Sequence, residues 1–181
     1  MIDEFRKFAG FRILEYFLLN PTREVHLKEL ARELEVSPAT VKHYCDLFAK
    51  EGILIVKRIG NMRIFKLNND YFAVKEIKRA YMILKLKEVG VESLCSSCYS
   101  LAVYGSVASG EFNEKSDIDL LVISKESCID YSVIRKIEAA LGKEIQLTVF
   151  QPHEWEIMKR NKNPLVNEIL RNHVLIKGVP L

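Results

Sequence analysis

A glycine–serine pair, followed eleven residues later by two aspartates, constrains this sequence more than any other feature. Gly105 and Ser106 end a short apolar run, and Asp117 and Asp119 open a second run in which acidic and apolar residues first alternate. Successive side chains of a strand point to opposite faces. The second run therefore predicts a strand that carries both carboxylates on one face and turns its apolar residues toward the core.

These residue types suit a phosphate group and a metal ion. Two carboxylates at positions i and i+2 of a strand can together bind a hard divalent cation. Gly105 allows the backbone to approach a phosphate closely, and Ser106 can donate its hydroxyl and its amide at the start of the next helix. The pattern therefore predicts that the two segments bind a phosphate and a divalent cation.

The run from Gly105 to Leu120, GSVASGEFNEKSDIDL, resembles the signature of the DNA polymerase β-like nucleotidyltransferase superfamily. Within that superfamily it is most similar to the minimal nucleotidyltransferases, which pattern as Gly-Ser-x-Ala-x-Gly with Ser-Asp-x-Asp-Leu. The resemblance covers about residues 100–179. It implies an α+β fold in which a small mixed sheet carries the site.

The resemblance also implies roles for the site residues. Gly105, Ser106 and Ser116 would hold the triphosphate of an NTP, and Asp117 and Asp119 would be catalytic residues that bind Mg²⁺. The reaction would transfer a nucleoside monophosphate to a hydroxyl of a protein or a small molecule, with pyrophosphate leaving. Members of the group that act as antitoxins transfer AMP to a partner toxin, so a toxin partner is one acceptor that the resemblance implies.

In that family a third carboxylate on a neighbouring strand completes the site and helps to deprotonate the acceptor hydroxyl. The equivalent position here falls at Gln146, and glutamine is neither an anionic ligand nor a base. Glu144 lies on the same predicted face, but about 7 Å along the strand. The sequence therefore leaves two functions open: an active nucleotidyltransferase, or a catalytically inactive transcription regulator that senses a nucleotide.

Residues 1–70 predict three helices followed by a hairpin. Apolar residues at helical spacing predict a first helix over about residues 3–19, namely Phe5, Phe8, Phe11, Leu14 and Leu18. A second helix follows, and Ser37, with a proline after it, opens a third. Gly60-Asn61 between two β-type runs predicts a two-residue hairpin. This order resembles a winged helix-turn-helix domain.

The same segment carries an excess of positive charge. Residues 37–67 hold six Lys or Arg against two acids, whereas residues 95–181 hold ten against eleven. The third helix would turn polar residues, Asp46 among them, toward a DNA major groove, and the hairpin would reach phosphate or the minor groove. The predicted DNA-binding residues are Thr40, Lys42, His43, Arg58, Asn61 and Arg63. A protein-interaction module is the alternative, since winged helices also serve that role.

Residues 71–94 predict a connecting helix, with apolar residues at helical spacing and no glycine or proline before Gly90. The chain is therefore predicted to comprise a winged helix-turn-helix domain over residues 1–70, this connection, and a nucleotidyltransferase domain over residues 95–181. A homodimer is one expected assembly, because DNA-binding modules of this kind often pair to match two half-sites.

The remaining expectations concern location and thiols. No apolar run approaches the roughly 20 residues that a membrane span needs, and residues 1–7 lack the apolar core of a secretory signal. A cytoplasmic protein without a membrane partner is therefore expected. Cys95-Ser-Ser-Cys98 leaves incidental thiols, a local disulfide and half of a metal site as alternatives. Reducing conditions inside the cell favour the first.

Overall fold

A computed structural model describes residues 2–125 and 129–181. The chain divides into two compact units, residues 1–78 and residues 79–181. The division falls within a single helix, α5 (Phe72–Val89), inside the segment that the sequence predicts to be the connection.

The N-terminal unit is built from helices and a small antiparallel sheet. In chain order its elements before α5 are α1 (Ile2–Phe5), α2 (Ala9–Leu19), β1 (Val25–His26), α3 (Leu27–Glu33), α4 (Pro38–Lys50), β2 (Leu54–Ile59) and β3 (Met62–Leu67). The predicted start of the third helix is confirmed, because the Ser37 hydroxyl accepts a hydrogen bond from the Thr40 amide at 3.1 Å and Pro38 is the first helical residue.

The prediction of one continuous first helix is wrong, since α1 ends at Phe5 and α2 begins at Ala9. Phe8 has extended backbone dihedrals and is 66% exposed. Arg6 follows the end of α1 and donates to the Glu15 carboxylate at 2.7 Å, an ion pair across the break. The buried face of α2 includes Leu18 of the predicted stripe, but its other buried apolar residues are Ile13, Tyr16 and Phe17.

The predicted hairpin is confirmed. β2 and β3 pair antiparallel with Ile59 opposite Met62, and Gly60 in the connection has a φ of +57°. Such a positive φ is what the two-residue turn requires of a glycine. β1, which the sequence did not reveal, pairs with β3 and completes a three-stranded sheet in the order β1-β3-β2.

The C-terminal unit packs helices around a four-stranded mixed sheet. Its elements after α5 are β4 (Ser100–Tyr104), α6 (Gly105–Ser109), β5 (Ile118–Ile123), α7 (Tyr131–Leu141), β6 (Ile145–Phe150), α8 (Pro152–Arg160), α9 (Pro164–Arg171) and β7 (His173–Gly178). The strand order is β6-β5-β4-β7. β5 and β6 are parallel and the other pairs are antiparallel, so the predicted mixed sheet is confirmed.

Both faces of the two central strands, β4 and β5, are buried, and alternate residues of these strands pack in opposite directions. One face packs against α5 and α7 through a cluster that includes Leu86, Leu101, Val103, Leu120, Val122 and Ile137. The other packs against α8 and α9 through a second cluster, Ala102, Tyr104, Leu121, Ile123, Trp155, Val166 and Ile169. The single tryptophan is therefore a core residue, only 3% exposed.

None of the helices in the described ranges, 2–125 and 129–181, combines the length and apolar character needed to cross a membrane.

Candidate functional site

Asp119 lies in a row of residues that crosses the sheet of the C-terminal unit. It pairs with Tyr104, the last residue of β4, and stands beside Gln146 in the parallel pairing of β5 with β6. Tyr104 pairs on its other side with His173 of β7. The strand position predicted to bear the third acid is thus a glutamine next to Asp119.

The turn at Gly105 lies directly against the Asp119 carboxylate. Gly105 has a φ of +65°, in the left-handed region that favours glycine. A Cβ atom built at this position would overlap Oδ2 of Asp119. Glycine is therefore required at position 105 for two reasons: the backbone is left-handed there, and the Asp119 carboxylate leaves no room for a Cβ atom.

The serines of the signature lie in the segment between β4 and β5. Ser106 is in the short helix α6, where its carbonyl accepts hydrogen bonds from the Glu111 amide at 2.9 Å and the Ser109 hydroxyl at 3.1 Å. The Ser116 hydroxyl accepts from the Asn113 amide at 2.9 Å and closes a turn just before Asp117. Both serines are partly exposed, and nucleotide binding by them stays a prediction.

The surroundings of Asp119 disfavour the ionised form of its carboxyl group. Burial is the largest cause that raises the pKa of this carboxyl above its ordinary value, and the charges of Asp117 and Glu168 raise it further. Asp117 and Asp119 therefore repel each other when both are ionised. A cation placed between them would remove this repulsion.

Glu144 does not complete the site through its side chain. Its carbonyl accepts a hydrogen bond from the Ile118 amide at 2.9 Å, while the residue itself is exposed. Among residues 2–125 and 129–181, no His, Cys, Asp or Glu joins the two aspartates in a group of three able to hold a metal ion.

Sequence reasoning missed Glu168, which lies on α9 at the same side of the sheet. Its neighbour Ile169 packs in one cluster with Tyr104. Burial is the main cause of the raised pKa values of both Asp119 and Tyr104, and the charge of Glu168 adds to each. Nothing in its local sequence separates Glu168 from an ordinary exposed helical acid, so only the packing of α9 reveals it.

The sequence profile of one protein family, described as "Nucleotidyltransferase domain", matches residues 73–176, more than half of the chain. The chain belongs to this family. The matched range contains β4, the Gly105 turn and the strand with Asp119, so the predicted resemblance is confirmed at the level of the nucleotidyltransferase domain.

Two solved structures are similar to parts of the chain. One is a toxin–antitoxin with AMP-PNP, at 16% identity and a TM-score of 0.38, covering 54% of this chain and 73% of that one. The other is a mutant of the toxin–antitoxin MntA-HpeT, at 13% identity and a TM-score of 0.35, covering 56% and 73%. A comparison with curated proteins finds no significant match. The family assignment rests on the sequence profile.

The donor set of the nucleotidyltransferase domain fits a magnesium ion that arrives with a nucleotide. Mg²⁺ is usually bound by one or two carboxylates together with substrate phosphates rather than by a cage of protein ligands. Asp117 and Asp119 would supply those two carboxylates, and the turn at Gly105 brings the backbone against the carboxylate of Asp119. These two aspartates are the residues that would hold the ion.

Replacing Gly105 with alanine is expected to damage this site. A left-handed alanine costs about 1–2 kcal/mol in backbone energy, and its Cβ would displace the Asp119 carboxylate. We expect the free energy of unfolding to fall by at least that amount, and Mn²⁺–ATP affinity to fall about tenfold or more, as for other residues that orient metal ligands. Urea denaturation and Mn²⁺ titration measure the two effects.

Gly60→Ala is the matched control for that variant. Gly60 has a φ of +57°, and a Cβ there would meet no atom within 4 Å. Gly60→Ala should destabilise the N-terminal unit by the cost of a left-handed alanine. It should leave the Mn²⁺–ATP affinity unchanged. Equal affinity losses in the two variants would show that the closeness of Gly105 to Asp119 is unimportant.

The cysteine pair does not form a local disulfide. Cys98 carries a free thiol, whose sulfur donates to the Cys95 carbonyl at 3.5 Å. That alternative is therefore wrong. Cys128, the fourth cysteine of the sequence, lies outside the described residues.

The predicted DNA-binding residues of the N-terminal unit differ in exposure. Lys42 and His43 are exposed on α4, and Arg58 and Asn61 are exposed on the hairpin. Thr40 is partly buried, with its hydroxyl 2.8 Å from that of Ser37 at the start of α4.

Arg63 of the hairpin and Asp46 of α4 form an ion pair with each other. The Arg63 guanidinium donates to the Asp46 carboxylate and lies 5.0 Å from the centre of the Phe65 ring. Lys42 donates to the other oxygen of Asp46 at 3.2 Å. Arg63 thereby ties the hairpin to α4, since an arginine on the inner face of a strand lies beside the helix that the strand packs against.

Proposed function

We propose that this nucleotidyltransferase domain binds an NTP with Mg²⁺ and transfers a nucleoside monophosphate to a hydroxyl of a protein or a small molecule. One observation carries the proposal: the Asp119 carboxylate lies against the backbone of the Gly105 turn. A phosphate bound at the turn and a cation bound by the carboxylates would therefore be in contact with each other.

Each residue of the site then has a defined task. The Gly105 backbone and the Ser106 hydroxyl bind phosphate oxygens, and Asp117 and Asp119 fix the position of the cation. When bound, Mg²⁺ would polarise the α-phosphate and neutralise charge on the departing pyrophosphate. The acceptor oxygen forms a bond to the α-phosphorus as the bond to the bridging oxygen breaks. Gln146 cannot take the acceptor proton, so the proton passes to water or to a carboxylate outside β6.

The test is incubation of the full chain with each of the four NTPs, labelled at the α- or the γ-phosphate, in the presence of Mg²⁺. The acceptors are small-molecule alcohols, candidate partner proteins and the chain itself. We expect α-label to become covalently attached to one acceptor class and γ-label to leave as pyrophosphate. Attachment of γ-label instead would indicate a kinase and overturn the proposal.

A nucleotide-sensing transcription regulator is the second candidate, favoured by Gln146 beside Asp119. This protein would bind NTP with a divalent cation and release it unchanged. Saturable Mn²⁺–NTP binding without transfer of α-label to any acceptor is the result that would select this candidate.

We further propose that the N-terminal unit is a winged helix that binds DNA. The order of α2, α3, α4 and the β2–β3 hairpin supports this role. So do the exposed cations Lys42 and Arg58, which stand on the helix and on the hairpin that Asp46 and Arg63 hold together. Affinity would come mainly from phosphate contacts.

A further inference from the structure

Lys143 binds the turn that precedes Asp117. It follows Gly142, which ends α7 with a φ of +63°, and it precedes β6. Its ammonium donates to three backbone carbonyls, those of Asn113 at 2.6 Å, Glu114 at 3.2 Å and Ser116 at 2.9 Å. An ammonium has three N–H donors, so these contacts match its full capacity.

The three carbonyls belong to the turn immediately before Asp117. This turn is also closed from within, by the Asn113 amide donating to the Ser116 hydroxyl at 2.9 Å. On the other side of Asp117, the Ile118 amide donates to the Glu144 carbonyl at 2.9 Å. Consecutive residues 143 and 144 therefore hold the backbone just before and just after Asp117.

Lys143 is enclosed by its surroundings as well as by the turn. The residue is partly buried, and its nitrogen lies 5.7 Å from the centre of the Phe112 ring. Burial lowers the pKa of Lys143, while the charges of Glu114 and Asp117 act in the opposite direction. Hydrogen bonds from an ionised donor are stronger than those between neutral groups, so the Lys143 ammonium holds the turn firmly.

We propose that Lys143 is a positioning residue, whose ammonium holds the turn of residues 113–116 and thereby sets the position from which Asp117 binds the metal of the NTP. The inference rests on the proposed function, because that function supplies the metal. The hydrogen bonds of the Lys143 ammonium to the turn, here called the tether, do not depend on it. A lysine that only stabilised the fold would affect metal affinity no more than any other equally destabilising change.

The test compares Lys143→Met with two controls in the same domain. Lys115→Met removes an exposed lysine from the same turn, and Val133→Ala removes buried volume from α7 without touching the turn. Mn²⁺ affinity in the presence of ATP is measured by the electron paramagnetic resonance signal of free Mn²⁺. Loss of a residue that orients a metal ligand weakens binding by about 10–100-fold. We expect a loss of that size for Lys143→Met and little change in either control.

One further variant and one further measurement distinguish loss of the tether from loss of the fold or of metal binding. Lys143→Arg, which retains the charge and N–H donors, should recover most of the affinity and covers the case in which the methionine variant does not fold. Hydrogen exchange of the Asn113 and Ser116 amides, which the turn protects, should accelerate in Lys143→Met without any metal present.

The inference is overturned if Lys143→Met binds Mn²⁺–ATP as tightly as the wild type. It is also overturned if Val133→Ala, at an equal folded fraction, weakens binding as much. A wild-type chain that binds no Mn²⁺ with any NTP would instead refute the proposed function. In that case, faster exchange in the methionine variant would still establish the tether, and unchanged exchange would refute it as well.

Discussion

Asp119→Asn is expected to reduce transfer of the α-label by about a thousandfold or more. A metal that neutralises charge in the transition state contributes several kcal/mol, and each 1.36 kcal/mol is about a factor of ten in rate. The asparagine keeps the size of the side chain and its packing against Gly105, so the loss reports on charge and metal binding. Initial rates of label transfer at saturating NTP and Mg²⁺ measure it.

The same substitution should stabilise the metal-free chain. Because the pKa of Asp119 is raised in the folded state, the native state binds more protons than the unfolded state between the ordinary and the raised value. Wild-type stability therefore falls as pH rises through that window and stays lower at neutral pH. An asparagine at this position does not titrate and should remove this slope. Thermal unfolding in EDTA over a pH series tests the prediction.

Asp130→Asn is the control for both measurements. Asp130 accepts a hydrogen bond from the Ser132 amide as the N-cap of α7, and asparagine caps helices equally well. Asp130→Asn should leave transfer of the α-label unchanged. The fall of stability with rising pH that Asp119 causes should persist in this variant. Equal transfer by wild type and Asp119→Asn would remove Asp119 from the catalytic machinery, whatever the stability result.

Much of the candidate site could be predicted because its signals are local. Gly105, Asp117 and Asp119 lie in one short segment, and the resemblance to the nucleotidyltransferase superfamily placed the third-acid position at Gln146. The parallel register, with Asp119 beside Gln146, agrees with that inference. A motif whose residues are close in sequence fixes their relative positions once the strand forms.

The contacts that sequence reasoning missed join residues far apart in the chain. Lys143 reaches the turn before Asp117 because β6 pairs parallel to β5. The charge of Glu168 acts on Asp119 because α9 packs on that face of the sheet. Each is an ordinary charged residue by its local pattern. Only the tertiary arrangement separates them from the other charged residues of the surface.

The error in the first helix has a different cause. Phe5 and Phe8 continue the helical spacing of the apolar residues, yet they are 45% and 66% exposed. Spacing reports which residues could share a face, whereas the ion pair of Arg6 with Glu15 and the break before Ala9 depend on contacts that spacing does not contain. Apolar spacing therefore predicts that a segment is helical better than it predicts where one helix ends and the next begins.

The second large effect is expected in DNA binding. Lys42→Ala combined with Arg58→Glu removes one cation and reverses another on the exposed surfaces of α4 and the hairpin. A contact between one charge and a phosphate is worth about 1 kcal/mol in water-like surroundings, and a reversal about twice that. We expect affinity for a double-stranded DNA fragment to fall about a hundredfold. The slope of log affinity against log salt should also decrease in magnitude by about two.

Arg63 is left intact in this variant because the structure gives it another task. Its guanidinium binds Asp46, so reversing it would break the connection between the hairpin and α4 and weaken DNA binding through the fold. The matched control is Lys136→Ala with Arg135→Glu, which makes the same charge change on the exposed surface of α7. Fluorescence anisotropy at several salt concentrations compares the two variants. If the control loses as much affinity as Lys42→Ala/Arg58→Glu, net charge rather than this surface governs DNA binding.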